Sequence, residues 1–152
     1  MKFLDAPKPS TSTPGGAESI ARGRSQFITV GCNLCHTPAF TTGQSSVAAL
    51  SEKPVNLFSD LALHRMGPGL ADDIVQWAAD GDEFRTAPLW GLGQRIFFLH
   101  DGRTRDLKEA IEAHASAGNG KWGPSEANMV IDRYRALPET WKQDLLNFLR
   151  SL

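Results

Sequence analysis

"VGCNLCHTP", residues 30–38, holds both cysteines of a 152-residue chain within four positions and follows the second with a histidine. Two cysteines at that spacing serve a redox dithiol, half of a zinc site, or the covalent anchor of a c-type haem. The rest of the chain has to choose. A dithiol motif needs a βαβ setting, and no pair of alternating strands flanks Cys32 and Cys35. A structural zinc site needs four ligands, usually as two short-spaced pairs, whereas His64, His100 and His114 stand singly. Haem attachment needs only what is present: one thiol for each vinyl group, a two-residue spacer, and an adjacent imidazole for the iron. The motif predicts one covalent haem c on Cys32 and Cys35, with His36 on the iron.

The composition fits one domain of ordinary make-up: 41% hydrophobic and 22% charged residues. Sixteen basic and 17 acidic residues leave a net charge of −1, so charge alone points to no nucleic-acid partner. No apolar run approaches the ~18–20 residues needed to span a bilayer. The start, "MKFLDAPKPSTSTPGG", lacks the apolar core of a signal peptide. A cytoplasmic protein, a mature chain and an excised domain all remain open on that evidence. Residues 1–16, rich in Pro, Ser, Thr and Gly, read as a flexible arm, and residues 17–152 as a single domain.

Along the domain, "ESIARGRSQFITVG" predicts a helix with Ile20, Phe27 and Val30 near one face and Gly31 as its stop. Residues 37–56 read as loop. "SDLALHRMG" predicts a short helix, capped by Ser59 and ended by Gly67. Residues 80–105 lack a helical period; "RIFFLH" has no alternating partner and is read as irregular. Three helices close the chain. Asp106 caps "LKEAIEAHASA", with Leu107, Ile111 and His114 on one face. Ser125 caps "EANMVIDRYRAL", with Met129, Val130, Tyr134 and Leu137 inward. Pro138 opens the last helix, with a stripe of Trp141, Leu145, Phe148, Leu149 and Leu152. The expectation is a mostly α, cytochrome c-like helical domain with long irregular loops around one covalent haem, which supplements a thin polypeptide core.

The runs "TPGGAESIARGRSQFITVGCNLCHTP", "SDLALHRMGPGLADD", "GDEFRTAPLWGLGQRIFFLHDGRTRDLKEAIEAH" and "LLNFLRSL" resemble bacterial di-haem oxidoreductases. That family includes proteins assigned as thiol oxidoreductases and is distantly related to di-haem cytochrome c peroxidases. The resemblance runs from Thr13 to Leu152. The family has two haems and two C-x-x-C-H motifs; this chain has one and looks like the C-terminal, electron-transferring haem domain. The resemblance therefore implies a mono-haem electron-transfer domain. A haem enzyme with peroxidase-like activity, or the relay half of a larger di-haem oxidoreductase, stand as alternatives. The implied partner is a redox protein or the N-terminal haem domain that this chain lacks. Haem c attachment in such proteins implies maturation outside the cytoplasm and hence a periplasmic location.

The second axial ligand is read two ways. In the peroxidase relatives the distal ligand follows "HDG" in a stretch similar to "LEEAVxxM"; here "LKEAIEAH" puts His114 at that position, and its helix face agrees. Met66, in "HRMGPG", is the rival, because thioether ligation also suits c-type haem. For the anionic propionates the candidate donors are Arg85, Arg95 and Arg103, with the Trp90 indole N–H beside them. His100 reads as a hydrogen-bonding residue and His64 as lying near the surface.

Overall fold

The computed structural model describes residues 15–152; the arm expected at 1–16 lies almost wholly outside them. Helix α1 spans Gly16–Val30. It ends where expected, because Gly31 takes φ 103°, a left-handed conformation that side chains with a Cβ avoid. Next comes a single 3-10 turn, Cys32–Leu34. Two short antiparallel pairs follow. Strand β1 (Phe40–Thr41) pairs with β2 (Pro54–Val55), and β3 (Leu63–Arg65) with β4 (Glu83–Arg85). Helices α2 (Leu107–Glu112), α3 (Asn128–Arg135) and α4 (Glu139–Arg150) complete the chain.

The expectation of a mostly α, cytochrome c-like domain is corrected by this inventory. Among the described residues, helix accounts for only 34% and strand for 10%, in two small sheets. The largest single departure is "SDLALHRMG". Its Ser59 does not cap a helix: the hydroxyl donates to the Thr86 carbonyl and accepts from the Leu61 N–H. Leu61 then adopts φ 60°, which breaks any right-handed helix. Residues 63–65 instead pair with 83–85, His64 opposite Phe84. A ladder with a segment some twenty residues away competes successfully with a weak local helix signal. "RIFFLH" stays irregular apart from one bridge, Phe98 to Thr104.

The core sits where α4 crosses α1. Phe27 and Val30 of α1 meet Leu145, Leu146, Phe148 and Leu149 of α4, with Phe58, Leu92, Leu107 and Tyr134 around them. The inward stripe of α4 omits Trp141, which is 47% exposed, and in α3 Ile131 and Tyr134 turn inward while Met129 is 59% exposed. Of the face expected for α3, Tyr134 is in the core and Val130 and Leu137 pack against it; only Met129 faces out, with Ile131 inward in its place. Phe27, Phe58 and Phe148 stack edge to face, with centroids 5.5–5.9 Å apart. Such contacts add to simple area burial.

The crossing is close because Gly23 has no side chain. A Cβ there would stand 2.0 Å from the Asp144 carbonyl oxygen and 2.7 Å from the Phe148 Cβ. Beside it, Asp144 accepts from Ser19 Oγ and from Nε and a terminal nitrogen of Arg22, tying the same two helices. Gly23→Ala tests the packing. Alanine raises intrinsic helix propensity, so a helix governed by local preference would gain about 1 kcal/mol. The expected result is the opposite: a loss of about 3 kcal/mol in denaturant unfolding, because backbone cannot move aside for a methyl group. An unchanged or raised midpoint would mean that α1 and α4 do not approach this closely.

Candidate haem-binding site

The site grows from the end of α1. In the 3-10 turn that follows Gly31, side chains three apart eclipse, which sets Cys32 and Cys35 on one edge. The His36 N–H donates to the Cys32 carbonyl at 2.9 Å and closes the turn. A second segment is laced alongside. Phe58, Ser59 and Asp60 donate backbone N–H groups to the carbonyls of Pro38, Thr37 and Cys35, at 3.2, 2.9 and 2.8 Å. This lacing delivers the Phe58 carbonyl to His36 Nδ1, 2.9 Å away. A carbonyl only accepts, so Nδ1 carries the proton and Nε2 keeps its lone pair.

The second imidazole comes from the end of α2. Asp106 caps that helix by accepting from the Lys108 N–H at 2.7 Å. One turn beyond the cap's reach the helix stops, and His114 Nδ1 turns back to the Ala110 carbonyl at 2.8 Å. The His114 carbonyl accepts from Ser125 Oγ, which in turn accepts from the Ala127 N–H at the start of α3. His114 is thus fixed on both sides of its Cα. Its ring faces that of His36, with centroids 6.4 Å apart and planes at 57°.

Neither Nε2 has a hydrogen-bond partner among the described residues. Burial holds both rings neutral: the His36 imidazole is pushed down to about 4, against the opposing pull of the Phe58 carbonyl, and His114 is lowered by burial also. Burial likewise pushes the Cys32 thiol up to about 12 and raises that of Cys35, where the charges of Asp60 and Glu126 add to the effect. Two imidazoles that share one metal, each about 2 Å from it through nitrogen, have centroids roughly 6 Å apart. The residues present fit a haem iron held from both faces, with thiols at hand.

The remaining predicted residues divide. Met66 is buried (9% exposed) behind the 67–69 turn, its N–H on the Asp82 carbonyl. Arg95 donates to the Pro88 carbonyl, and Arg103 to Asp101 and the Gly69 carbonyl. Arg85 is exposed on β4, and Trp90 is half-buried in the turn before Leu92. His100 stacks on Phe84 at 4.3 Å with Nε2 3.6 Å from Asp72.

His64 is the residue whose setting differs most from a surface position. Its Nε2 is 2.8 Å from Asp60 and its Nδ1 2.8 Å from Glu126. Nδ1 also lies 3.8 Å from Cys35 Sγ. Asp60, His64 and Cys35 form a group with ligand atoms within 4.8 Å of one another. Nothing in the sequence near Glu126 signals this role, because its partner lies 62 positions earlier. Phe58 is missed for another reason: it acts through its carbonyl, which any residue has.

Facing neutral imidazoles beside a thiol pair are a donor set that suits a haem. The chain belongs to the family described as "Di-haem oxidoreductase, putative peroxidase", whose model matches residues 9–152. The family implies haem and oxidoreductase chemistry. No curated protein and no solved structure matches the chain. Among the described residues no helix is long and apolar enough to cross a membrane.

Proposed function

We propose that this chain is a mono-haem c-type electron-transfer domain, with haem bonded to Cys32 and Cys35 and its iron held by His36 and His114. The observation that carries the reading is the pair of imidazoles at 6.4 Å, each tethered through Nδ1 to a backbone carbonyl with Nε2 left as a donor. Such second-sphere bonds fix the tautomer and orient a ligating ring. The bound haem supplies one-electron chemistry at iron. The protein's part is to hold two ligands rigidly, so that little rearranges when the charge changes. His114 rather than Met66 is the distal ligand in this reading, and the lower potential of imidazole ligation follows.

One C-x-x-C-H in the chain gives one haem attachment, whereas the family name speaks of two haems. The second haem of the relay would come from a separate redox protein or an N-terminal haem domain. Attachment of haem c places the protein in the periplasm in this reading. Arg85 and Trp90 are the donors proposed for the propionates, because Arg95 and Arg103 already bind backbone and Asp101.

A single ultraviolet–visible spectrum of the oxidised and reduced protein tests the assignment. Low-spin bands in both states, without the far-red charge-transfer band of a ferric iron–methionine bond, are expected. A high-spin ferric spectrum as isolated would refute bis-histidine ligation.

The same ligation predicts little peroxide chemistry. His36 and His114 would both hold the iron, each tethered through Nδ1, so one of them would have to give way before peroxide could bind. Mixing the ferric protein with hydrogen peroxide is expected to leave the visible spectrum unchanged on the stopped-flow timescale. A rapid spectral change, with turnover of a reducing substrate, would move the reading to a peroxidase.

A further inference from the structure

We propose that the surface around the cysteine turn is the docking site for a one-electron carrier protein whose own face is apolar at its centre and acidic at its rim. This rests on the haem reading above and names the partner that reading calls for. Three large apolar side chains stand out from the protein here. Leu34, between the two cysteines, is 62% exposed, Ile28 on α1 is 52% exposed and Met129 on α3 is 59% exposed. Exposed apolar residues scattered singly carry no message, whereas neighbours form a patch that marks a contact.

These three are neighbours around Gly31. The left-handed turn at Gly31 ends α1 with its N–H on the Ile28 carbonyl, 3.1 Å away. A Cβ on Gly31 would stand 3.4 Å from Leu34 Cδ1 and 3.5 Å from both Arg133 Nη1 and Val130 Cγ2. Leu34 and Arg133 therefore close over the same glycine. One helical turn before Arg133, Met129 Sδ accepts from its Nη2 at 3.6 Å. One turn before Ile28, Arg24 lies exposed on the same face of α1. The patch is thus an apolar centre of Ile28, Leu34 and Met129 set between two arginines.

The charge on this face is uncompensated. Among the described residues neither Arg24 nor Arg133 makes an ion pair. Carboxylates on and just before the same two helices are engaged elsewhere: Glu18 with Arg22, Asp132 with Arg135, and Glu126 with His64. A chain of net charge −1 therefore presents a local positive face. A second copy of the chain would meet it with like charge. Two basic side chains are also too few for anionic lipid, where attachment takes clusters of about four to eight. An acidic rim around an apolar centre answers both features: the rim steers the encounter, and the centre excludes water once docked. Docking here brings the carrier to the turn that bears both cysteines. The balance is one electron passed from the haem iron to the carrier, with no bond made or broken.

The probe is plastocyanin, an acidic one-electron copper protein, in a redox-inert zinc form for binding and its copper(II) form for electron transfer. Added to isotope-labelled, haem-loaded protein at low salt, the zinc form should shift the backbone amide signals of Ile28, Leu34 and Met129. Those shifts should fade as salt rises, since charges are screened beyond about 10 Å at 0.1 M ionic strength. Arg24→Gln combined with Arg133→Gln should weaken binding about tenfold at low salt and slow reduction of the copper(II) form to match. Oxidation of the same variant by cationic tris(phenanthroline)cobalt(III) should not slow. Met129→Gln should weaken binding without changing its salt dependence. Amide shifts confined to another face, binding indifferent to salt, or a double arginine variant that binds like the wild type would overturn the docking site. So would attachment to phosphatidylglycerol vesicles with none to plastocyanin, or a cobalt reaction slowed as much as the copper one. Each of these, found on a low-spin, covalently bound haem, leaves the haem reading standing. Absence of such a haem in the wild type overturns this proposal together with the assignment beneath it.

Discussion

His114→Ala is expected to turn the ferric haem protein from low spin to high spin, completely, while Met66→Ala leaves it low spin. The two substitutions separate the two ligand readings because the structure gives the residues different work. His114 is fixed through its Nδ1, its carbonyl and its backbone N–H, and its ring faces His36 across 6.4 Å. Alanine keeps the helix end and removes only the donor, so water or nothing occupies the sixth position. Added free imidazole should restore the low-spin spectrum, which a misfolded variant would not do. Met66 is buried (9% exposed) under a glycine turn. Truncating a buried methionine costs about 2–5 kcal/mol in stability without touching the spectrum. If Met66→Ala gives the high-spin form and His114→Ala does not, the assignment of His114 is wrong and the thioether is the ligand.

What the sequence reveals of this architecture follows the range of the interactions. The Gly31 stop, the Asp106 cap and the proline opening α4 are legible because each works within four residues. The apolar faces of α1 and α4 are legible because period and burial coincide at Phe27, Val30, Leu145, Phe148 and Leu149. The strand at 63–65 is not legible. Its ladder with 83–85 is non-local, and the strong local signal, a serine before an apolar run, is spent on a bond to Thr86 instead. The same reason hides the setting of His64. An Asp60–His64 spacing of four suggests a helical pair, whereas the segment is extended and the second carboxylate arrives from residue 126. Near the candidate site the donors themselves are visible as residue types, while the groups that orient them, the Phe58 and Ala110 carbonyls, are backbone and carry no sequence signature.

Replacing Cys32 and Cys35 together with alanine is expected to make the haem extractable, from none in the wild type to nearly all, in acidified organic solvent. Acid protonates both imidazoles and ends their hold on iron, so the thioether bonds are then the only attachment left. Both cysteines are free thiols in the structure. Cys32 packs against the core cluster, and burial pushes its thiol up to about 12, so at neutral pH it is almost wholly un-ionised. Disulfide formation proceeds through the thiolate, and a protonated pair three residues apart resists closing on itself before haem arrives. Loss of the haem removes more than a chromophore. Contacts that exist only in the folded chain stabilise it, and iron bonds to His36 and His114 together with apolar contacts to the macrocycle would be contacts of that kind. The double variant should therefore melt well below the wild type, with the gap narrowing when excess free haem is added, since His36 and His114 are still present to bind it. Free extraction of haem from the wild type would show that Cys32 and Cys35 do not hold it. An unchanged melting temperature in the double variant would show that the core of Phe27, Phe58, Tyr134 and Phe148 suffices without haem.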